Sequence, residues 1–522
     1  MLIPDLLRIS AEKYGDKCFA NSSEEYLNFN ELNYFSDKLA TKLRKLGKKI
    51  TIGILSKNSL QYLISYFAII KSGNIAVAIN PLNKGFELGN IIADSEIKVL
   101  FTNNYYLSAI LSLDHELTGK ITCFNFDEDY EQLKGETCFE IKSFNEAINS
   151  DSEIAHENAI GFEADENDIV QIIFTSGTKG SPNGVCLTHK NLIANMEQIL
   201  DRIDINEDDN MLVIIPFYYS YGNSLILSHL FRGARLTINN NSLLPTFILD
   251  DLVKKKCTSM AGVASNFILL IKRSKFINMG LPHLRYVTLA GEPIADWIIT
   301  EMQTMPIDIY VMYGQTEATA RISILKPDEL NIKEGSVGRP VKETDLKIVD
   351  SDGSILPPNE FGEVIISGLN IMKGYWKDPD STANKFLNSY LYTGDFGKLD
   401  KDGYLYISGR MDEMIKVGGE RVFPIEIEKA LLRHEKVAEA GVIGIKEITD
   451  DESLSDYIGK TIYAFVVPKE DLEEELTEIE IFCFCKENLP RYKIPGHIIF
   501  ANKLPRTATG KLNRNMLAGL VK

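Results

Sequence analysis

The sequence predicts an α/β protein: a large N-terminal domain of doubly wound layered sheets with a β-rich part from about residue 345, followed by a small α+β domain at the C-terminus. Three observations predict it. Near the N-terminus, apolar strands alternate with helical patterns in β-α-β rhythm, the pattern of a layered sheet with crossover helices. From about residue 345, short alternating strands meet turn residues as hairpins. From Pro424 onward, helix and strand patterns alternate again over a short span.

Asn30 reads as the N-cap of a helix whose apolar residues Leu32, Phe35, Leu39, Leu43 and Leu46 fall at helical spacing before Gly47 ends it. A strand over 50–55, a mostly apolar helix over 60–71 closed by Gly73, and a strand over 76–79 follow. The apolar run 169–174 is a further buried strand. Later strands over 362–367 and 404–407 adjoin the turns Ser351-Asp352-Gly353 and Asp400-Lys401-Asp402-Gly403. The terminal domain reads as a helix over 425–432, strands over 438–443 and 461–467, a helix over 479–489 and a strand over 497–500.

Composition excludes several classes. With 44% apolar residues and 25% charged, the 522-residue chain can bury sizeable cores. A net charge of −17 argues against a nucleic-acid partner, and Lys42-Leu43-Arg44-Lys45 and Lys254-Lys255-Lys256 read as solvated helix surfaces. The seven cysteines are scattered without C-x-x-C pairs, so neither a disulfide framework nor a zinc site is expected, and a reducing cytoplasm fits. No signal peptide opens the chain, and no apolar stretch approaches the ~20 residues of a bilayer span, so the protein is expected to be neither exported nor membrane-spanning.

Five motifs carry chemistry. The strand over 169–174 empties into Thr175-Ser176-Gly177-Thr178-Lys179-Gly180-Ser181-Pro182-Asn183-Gly184, whose glycines let backbone N–H groups approach an anion while the hydroxyls wrap a polyphosphate. A plain turn has the same composition, and the loop lacks both G-x-x-x-x-G-K-[ST] and G-x-G-x-x-G. Tyr313-Gly314-Gln315-Thr316-Glu317 follows a second apolar run; Glu317 reads either as a solvated loop residue or as a carboxylate holding Mg²⁺ against a phosphate. In Tyr392-Thr393-Gly394-Asp395, the aspartate reads as a turn former or as the acceptor of two ribose hydroxyls. The fourth is Gly409-Arg410-Met411-Asp412 with the run to Gly418-Gly419, at the boundary between the β-rich part and the terminal domain. The fifth, Pro505-Arg506-Thr507-Ala508-Thr509-Gly510-Lys511, offers one positive charge to a developing anion.

In this order the motifs resemble the adenylate-forming superfamily of acyl-CoA synthetases, adenylation domains and luciferases. The resemblance spans the whole chain, from Leu27-Asn28-Phe29-Asn30-Glu31-Leu32 and Asn58 through Gly335-Ser336-Val337-Gly338-Arg339-Pro340 and Gly374-Tyr375-Trp376 to Lys511. It implies a ligase that joins an acyl or aryl carboxylate to ATP as acyl-AMP with loss of pyrophosphate, then passes the acyl group to a thiol. The cofactors implied are ATP, Mg²⁺ and CoA, or the phosphopantetheine of a carrier protein; no nucleic-acid partner and no membrane span are implied. It places the triphosphate on Thr175, Ser176, Gly177, Thr178, Lys179, Gly180 and Gly184, and the adenine against Gly291-Glu292-Pro293 and Tyr313, with Gly314, Gln315 and Thr316 also binding the nucleotide. It puts Mg²⁺ at Glu317 and the ribose on Asp395 with Arg410. Lys511, Glu317 and Thr175 carry the chemistry, with Lys511 bridging the acyl carboxylate and the α-phosphate. A mobile domain over 412–522 is implied to rotate on residues 1–411 about a hinge at Asp412, bringing Gly418 and Gly419 to the pantetheine channel.

Two positions depart from the family pattern. Lys179 stands where threonine is usual and Asn183 where the loop lysine is usual, which reads as a compensating shift of charge, a dispensable lysine, or a weakly active paralogue. Tyr219 stands where histidine is frequent. The acyl pocket expected from Tyr219, Ser220, Tyr221, Val263, Phe267, Ala290 and Met312 is aromatic with few charges, and no aspartate near Tyr219 is available for an amino group, so an acyl or aryl acid is favoured. A stand-alone ligase that loads a carrier protein and a non-catalytic acyl-AMP or nucleotide binder remain alternatives to transfer to CoA.

Overall fold

The fold was analysed in a computed structural model. It describes the chain apart from residues 24, 114–120, 130–139, 150–163, 176–181, 242–243, 418–419, 446–459, 470–474, 507–511 and 522. Two large sheets form the N-terminal domain. One runs, in spatial order, Gly374–Tyr375, Asn183–Thr188, Ile169–Thr175, Ile75–Ile79, Thr51–Leu55, Val99–Thr102, Thr122–Asn125 and Glu140–Ser143. Its middle is parallel, and strands Ile169–Thr175 and Asn183–Thr188 form an antiparallel hairpin. The other sheet holds Ser259–Gly262, Tyr286–Leu289 and Asp308–Tyr313 side by side and parallel, with Asn210–Val213 and Arg235–Ile238 alongside. Parallel strands of this kind are buried on both faces, which is why they read as unbroken apolar runs rather than alternations.

Helix Leu60–Lys71 is buried on every side and contacts strands of both sheets, so an all-round apolar helix becomes the filling between two layers. Ser59 caps it by accepting from the Tyr62 N–H at 3.0 Å. The helix after strand Glu25–Asn28 begins two residues earlier than the sequence reading placed it. It spans Phe29–Arg44 and its cap is Asn28, not Asn30: Asn28 Oδ1 accepts from Glu31 N at 2.7 Å while Glu31 Oε2 accepts from Asn28 N at 2.9 Å. Reciprocal capping by Glu31 outweighs the choice between two neighbouring asparagines.

The β-rich part is built as expected from hairpins. Thr344–Val349, Gly362–Gly368, Tyr390–Leu399 and Leu405–Arg410 pair antiparallel in sequence, and Gly353 and Gly403 sit at φ +80° and +79° in the turns. The terminal domain packs helices Pro424–Leu431 and Glu478–Asn488 on strands Val437–Ile445, Thr461–Pro468 and His497–Phe500 around its own apolar cluster. It touches the larger domain through Arg433 Nη2 on Asp296 Oδ2 at 2.7 Å, Lys272 Nζ on Val437 O at 3.3 Å, and Phe423 stacked 4.9 Å from Phe396.

Candidate functional site

The site lies where strands of both large sheets end, as open α/β sheets place their ligands. Thr175 closes its strand and Asn183 opens the returning one, with Thr175 Oγ1 3.4 Å from Asn183 O. Ser176, Gly177, Thr178, Lys179 and Gly180, between these two ends, lie outside the described residues. Gly184 does not belong to the loop. It stands in strand Asn183–Thr188 opposite Phe174, and a Cβ there would lie 3.0 Å from Ile172 Cγ2 and 3.1 Å from Trp376 Cβ. A side chain at 184 would crowd Ile172 and Trp376, beside the edge strand Gly374–Tyr375, which pairs with Val185 and Cys186.

That edge strand delivers Tyr375 to Glu317. The Tyr375 hydroxyl donates to Glu317 Oε1 at 2.9 Å, and burial together with the Glu317 charge pushes the phenol well above its usual range. Thr316, beside Glu317, lies 3.3 Å by its hydroxyl from Ser220 Oγ at the start of helix Ser220–Arg232. Gly314 is tightly framed, since a Cβ there would sit 1.8 Å from Ala320 O; the Gln315 side-chain nitrogen is buried without a hydrogen-bond partner among the described residues. The carboxylate of Glu317 and the hydroxyl of Thr175 are hard oxygen donors, the ligand chemistry that Mg²⁺ takes.

On the other side stands the β-rich part. Asp395 is 6% exposed and faces Arg410 across the strand pair, their closest charged atoms 3.5 Å apart. Its Oδ2 accepts a short hydrogen bond from the Tyr313 hydroxyl, and its N–H is held by Thr393 Oγ1 at 3.0 Å. Burial raises the Asp395 pKa against the opposing pull of Arg410 and Tyr313. Burial works against the Arg410 charge as well, but Asp395 and Asp412 outweigh it and its pKa goes up. Arg410 Nε reaches Asp412 Oδ1 at 3.4 Å, so Tyr313, Asp395, Arg410 and Asp412 form one polar chain ending at the expected hinge. Gly418, Gly419 and Lys511 lie outside the described residues.

The residues expected to line the acyl pocket come from four elements, helices Ser220–Arg232 and Ala264–Arg273 and strands Tyr286–Leu289 and Asp308–Tyr313. Tyr221 donates toward Thr288, 2.9 Å from its carbonyl and 2.7 Å from its hydroxyl, and Tyr219 packs edge-on against Tyr218 while receiving Asn80 Nδ2 at 3.2 Å. Gly222 fits only as glycine, because a Cβ would lie 2.0 Å from Pro216 O. Val263 heads the helix bearing the fully buried Phe267, and Ala290 and Met312 are buried at neighbouring strand ends. Gly291 turns at φ +83° with Val263 beside it, ahead of Pro293, and Glu292 Oε2 accepts from Ser265 N at 2.9 Å. Asn58, which the resemblance includes without giving it a role, clamps the loop before Tyr219 through Ile215 O and Phe217 N, and Arg321, not singled out from the sequence, is buried against Tyr221. Glu317 and Arg321 are four residues apart; their spacing gave no signal because the turn between them is not helical throughout.

With this geometry in view, the chain belongs to the AMP-binding enzyme family, which matches residues 7–376, and the family's C-terminal domain matches 426–511. More particularly, it is similar to CoA ligases along its whole length. A 2-succinylbenzoate–CoA ligase of Bacillus cereus is 30% identical over 524 residues, covering 99% of this chain and 98% of that protein. The crystal structure of an anthranilate CoA ligase in complex with anthranoyl-AMP has a TM-score of 0.87 at 26% identity, covering 100% of this chain and 97% of the other. The o-succinylbenzoate coenzyme A synthetase of Bacillus subtilis in complex with ATP and magnesium ion gives 0.81 at 26% identity, covering 98% and 99%. No described helix is long and apolar enough to cross a membrane.

Proposed function

We propose that this protein is an AMP-forming acid–thiol ligase using the residues gathered above, in which a carboxylate oxygen attacks the α-phosphorus of ATP, pyrophosphate leaves, and the CoA sulfur then displaces AMP from the acyl carbon. The observation that carries the reading is the pairing of Glu317 with Tyr375 beside the Tyr313–Asp395–Arg410 chain, at the strand ends of an AMP-binding fold. Asp395 orients the ribose through both hydroxyls, Arg410 favours the ionised form of that carboxylate, and Gly291-Glu292-Pro293 with Tyr313 flank the adenine. Glu317 and Thr175 would hold Mg²⁺, whose chemistry when bound is to neutralise phosphate charge. Thr175 and the 176–181 loop cradle the phosphates. Lys511 supplies a cation to the carboxylate and α-phosphate in the first half-reaction and withdraws when the domain beyond Asp412 turns to present Gly418-Gly419 to pantetheine.

This assigns residues 1–411 and 412–522 to two domains that move about Asp412, in a cytoplasmic enzyme. Pyrophosphate release across a panel of carboxylic acids, with and without CoA, tests the reading: acid-dependent release and CoA-dependent AMP formation are expected. Release that ends at acyl-AMP unless a phosphopantetheinylated carrier protein is added would move the acceptor from CoA to that protein. No release with any acid would overturn ligation.

A further inference from the structure

Arg321 is held in place by an unusual backbone. Thr319 and Ala320 sit at φ +63° and +141°, a costly pair for non-glycine residues, and the turn they make closes over Gly314. The Arg321 carbonyl accepts from Asn195 Nδ2 and Asn370 Nδ2, each at 3.0 Å, so the turn is tied to two further elements. Its side chain therefore points inward: it is 3% exposed, with the guanidinium carbon 4.1 Å above the Tyr221 ring, Nε 3.1 Å from Met312 Sδ and Nη1 3.3 Å from Ala320 O.

Tyr221 and Met312 are among the residues expected to line the acyl pocket. Among the described residues no carboxylate pairs with this cation, and the nearest acid in sequence, Glu317, is engaged by Tyr375. Burying a guanidinium without a counter-charge is unfavourable, and one aromatic face plus one carbonyl offset only part of it. Burial lowers its pKa to about 10, so it stays charged at neutral pH. A cavity of about 10 Å³ is lined by Arg321, Thr288, Met312, Ser224, Ser228 and His229, room for one water.

We propose that Arg321 is the specificity-determining residue of the acyl pocket and that the acid activated here carries a second carboxylate, distal to the reacting one, which pairs with the guanidinium. The inference rests on the ligase reading and adds the substrate class to it. A planar fork of N–H donors matches a carboxylate in two parallel bonds, and a site built for such a group rejects the analogue lacking it far more strongly than an apolar pocket rejects a missing methylene.

The test compares matched pairs, α,ω-dicarboxylates and monocarboxylates of equal length together with aryl diacids and monoacids, by pyrophosphate release and by calorimetric binding. Wild type should favour the diacid of at least one pair by ~10² or more in kcat/KM. Arg321→Met should lose that diacid by ~10²–10³, chiefly in KM, while its KM for ATP stays unchanged and the monoacid improves; Arg321→Lys should keep part of the preference. A wild type that favours the monoacid in every pair overturns the inference without recourse to any variant, and so does an equal loss of both acids in a Met variant that still binds ATP. Release with monoacids and no diacid binding would sink the inference and leave the ligase reading standing. Diacid binding by wild type but not by Arg321→Met, without release, would do the reverse.

Discussion

Replacing Asp395 by asparagine isolates the ribose contact. The side chain is nearly enclosed, so its carboxylate acts in a medium that screens it little, and Tyr313 can still donate to an amide oxygen after the change. Arg410 loses a partner 3.5 Å away but is 40% exposed, so the fold should lose little. What goes is the ability to accept two ribose hydroxyls at once. Hydrogen bonds to a charged group contribute about 1.5–3 kcal/mol each, and an amide keeps one acceptor, so a loss of about 2–4 kcal/mol is expected. That corresponds to about 30- to 1,000-fold in kcat/KM for ATP. Pyrophosphate exchange with ATP and 2′-deoxyATP on both proteins completes a double-mutant cycle, and the penalty for deoxyATP should shrink in Asp395→Asn by at least ~10-fold. Penalties that simply add would refute a contact between Asp395 and the 2′-hydroxyl. Because burial raises the Asp395 pKa, the ionised acceptor is lost on acidification earlier than an ordinary carboxylate would be. The KM for ATP should therefore climb as pH falls, through a pKa above the usual carboxylate range, and this limb should vanish in the variant. The stability linked to the raised pKa runs the opposite way, present below the ordinary carboxyl pKa and lost as pH rises through the folded one.

Lys511→Ala should lower acyl-AMP formation by ~10²–10³ yet leave thioester formation from supplied acyl-AMP largely intact, and equal losses in the two half-reactions, measured separately, would exclude its assigned role. Asp412→Pro, which fixes φ near −65°, should leave adenylation within about tenfold while CoA transfer falls by at least ~10²; full thioester activity would rule out this residue as the pivot. Gly222→Ala must push aside Pro216 O, so melting should drop by several degrees and the KM for the acid should rise more than that for ATP; an unaltered melting temperature would show that the loop yields freely. His189 and His229 have pKa values lowered to about 4 by burial, so each contributes stability that is present above about 6.5 and lost as pH falls through about 4, at most about 3 kcal/mol apiece. A denaturation midpoint that stays flat from pH 7 to 4 would mean that both imidazoles are already solvated.

Much of this layout was legible because it depends on local pattern. Unbroken apolar runs announced the parallel strands, and glycine-centred turns announced the hairpins after residue 345. Helix Leu60–Lys71 and strand His497–Phe500 have the bounds their residues suggested. Cap identity was less legible: Asn28 and Asn30 are equal as side chains, and only the reach of Glu31 separates them. Gly184 is ambiguous for a related reason, since a glycine demanded by packing looks the same in sequence as one demanded by a phosphate. Arg321 was invisible. Nothing local distinguishes a solvated arginine from one folded under an aromatic ring, and its burial depends on Asn195 and Asn370, which lie 126 and 49 residues away.

The polar chain from Tyr313 to Asp412 has a consequence beyond binding. Asp395 divides its carboxylate between Tyr313 and Arg410, and Arg410 divides its guanidinium between Asp395 and Asp412. If the ribose hydroxyls take up part of the Asp395 acceptor capacity, the share left for Arg410 falls and the Arg410–Asp412 contact gains weight. Nucleotide occupancy and the torsions at Asp412 are then linked, and linkage is reciprocal: a hinge geometry that draws Arg410 away must alter nucleotide affinity by the same factor. Both partners of the last contact are substantially exposed, so the coupling is of the order of a surface pair, about 0.2–1 kcal/mol, and weakens with salt. Such a term is too small to lock the terminal domain. If the terminal domain turns about Asp412 as proposed, a term of this size would bias which orientation is populated once ATP has given way to AMP, and the motion would stay reversible within a turnover because the bias is small.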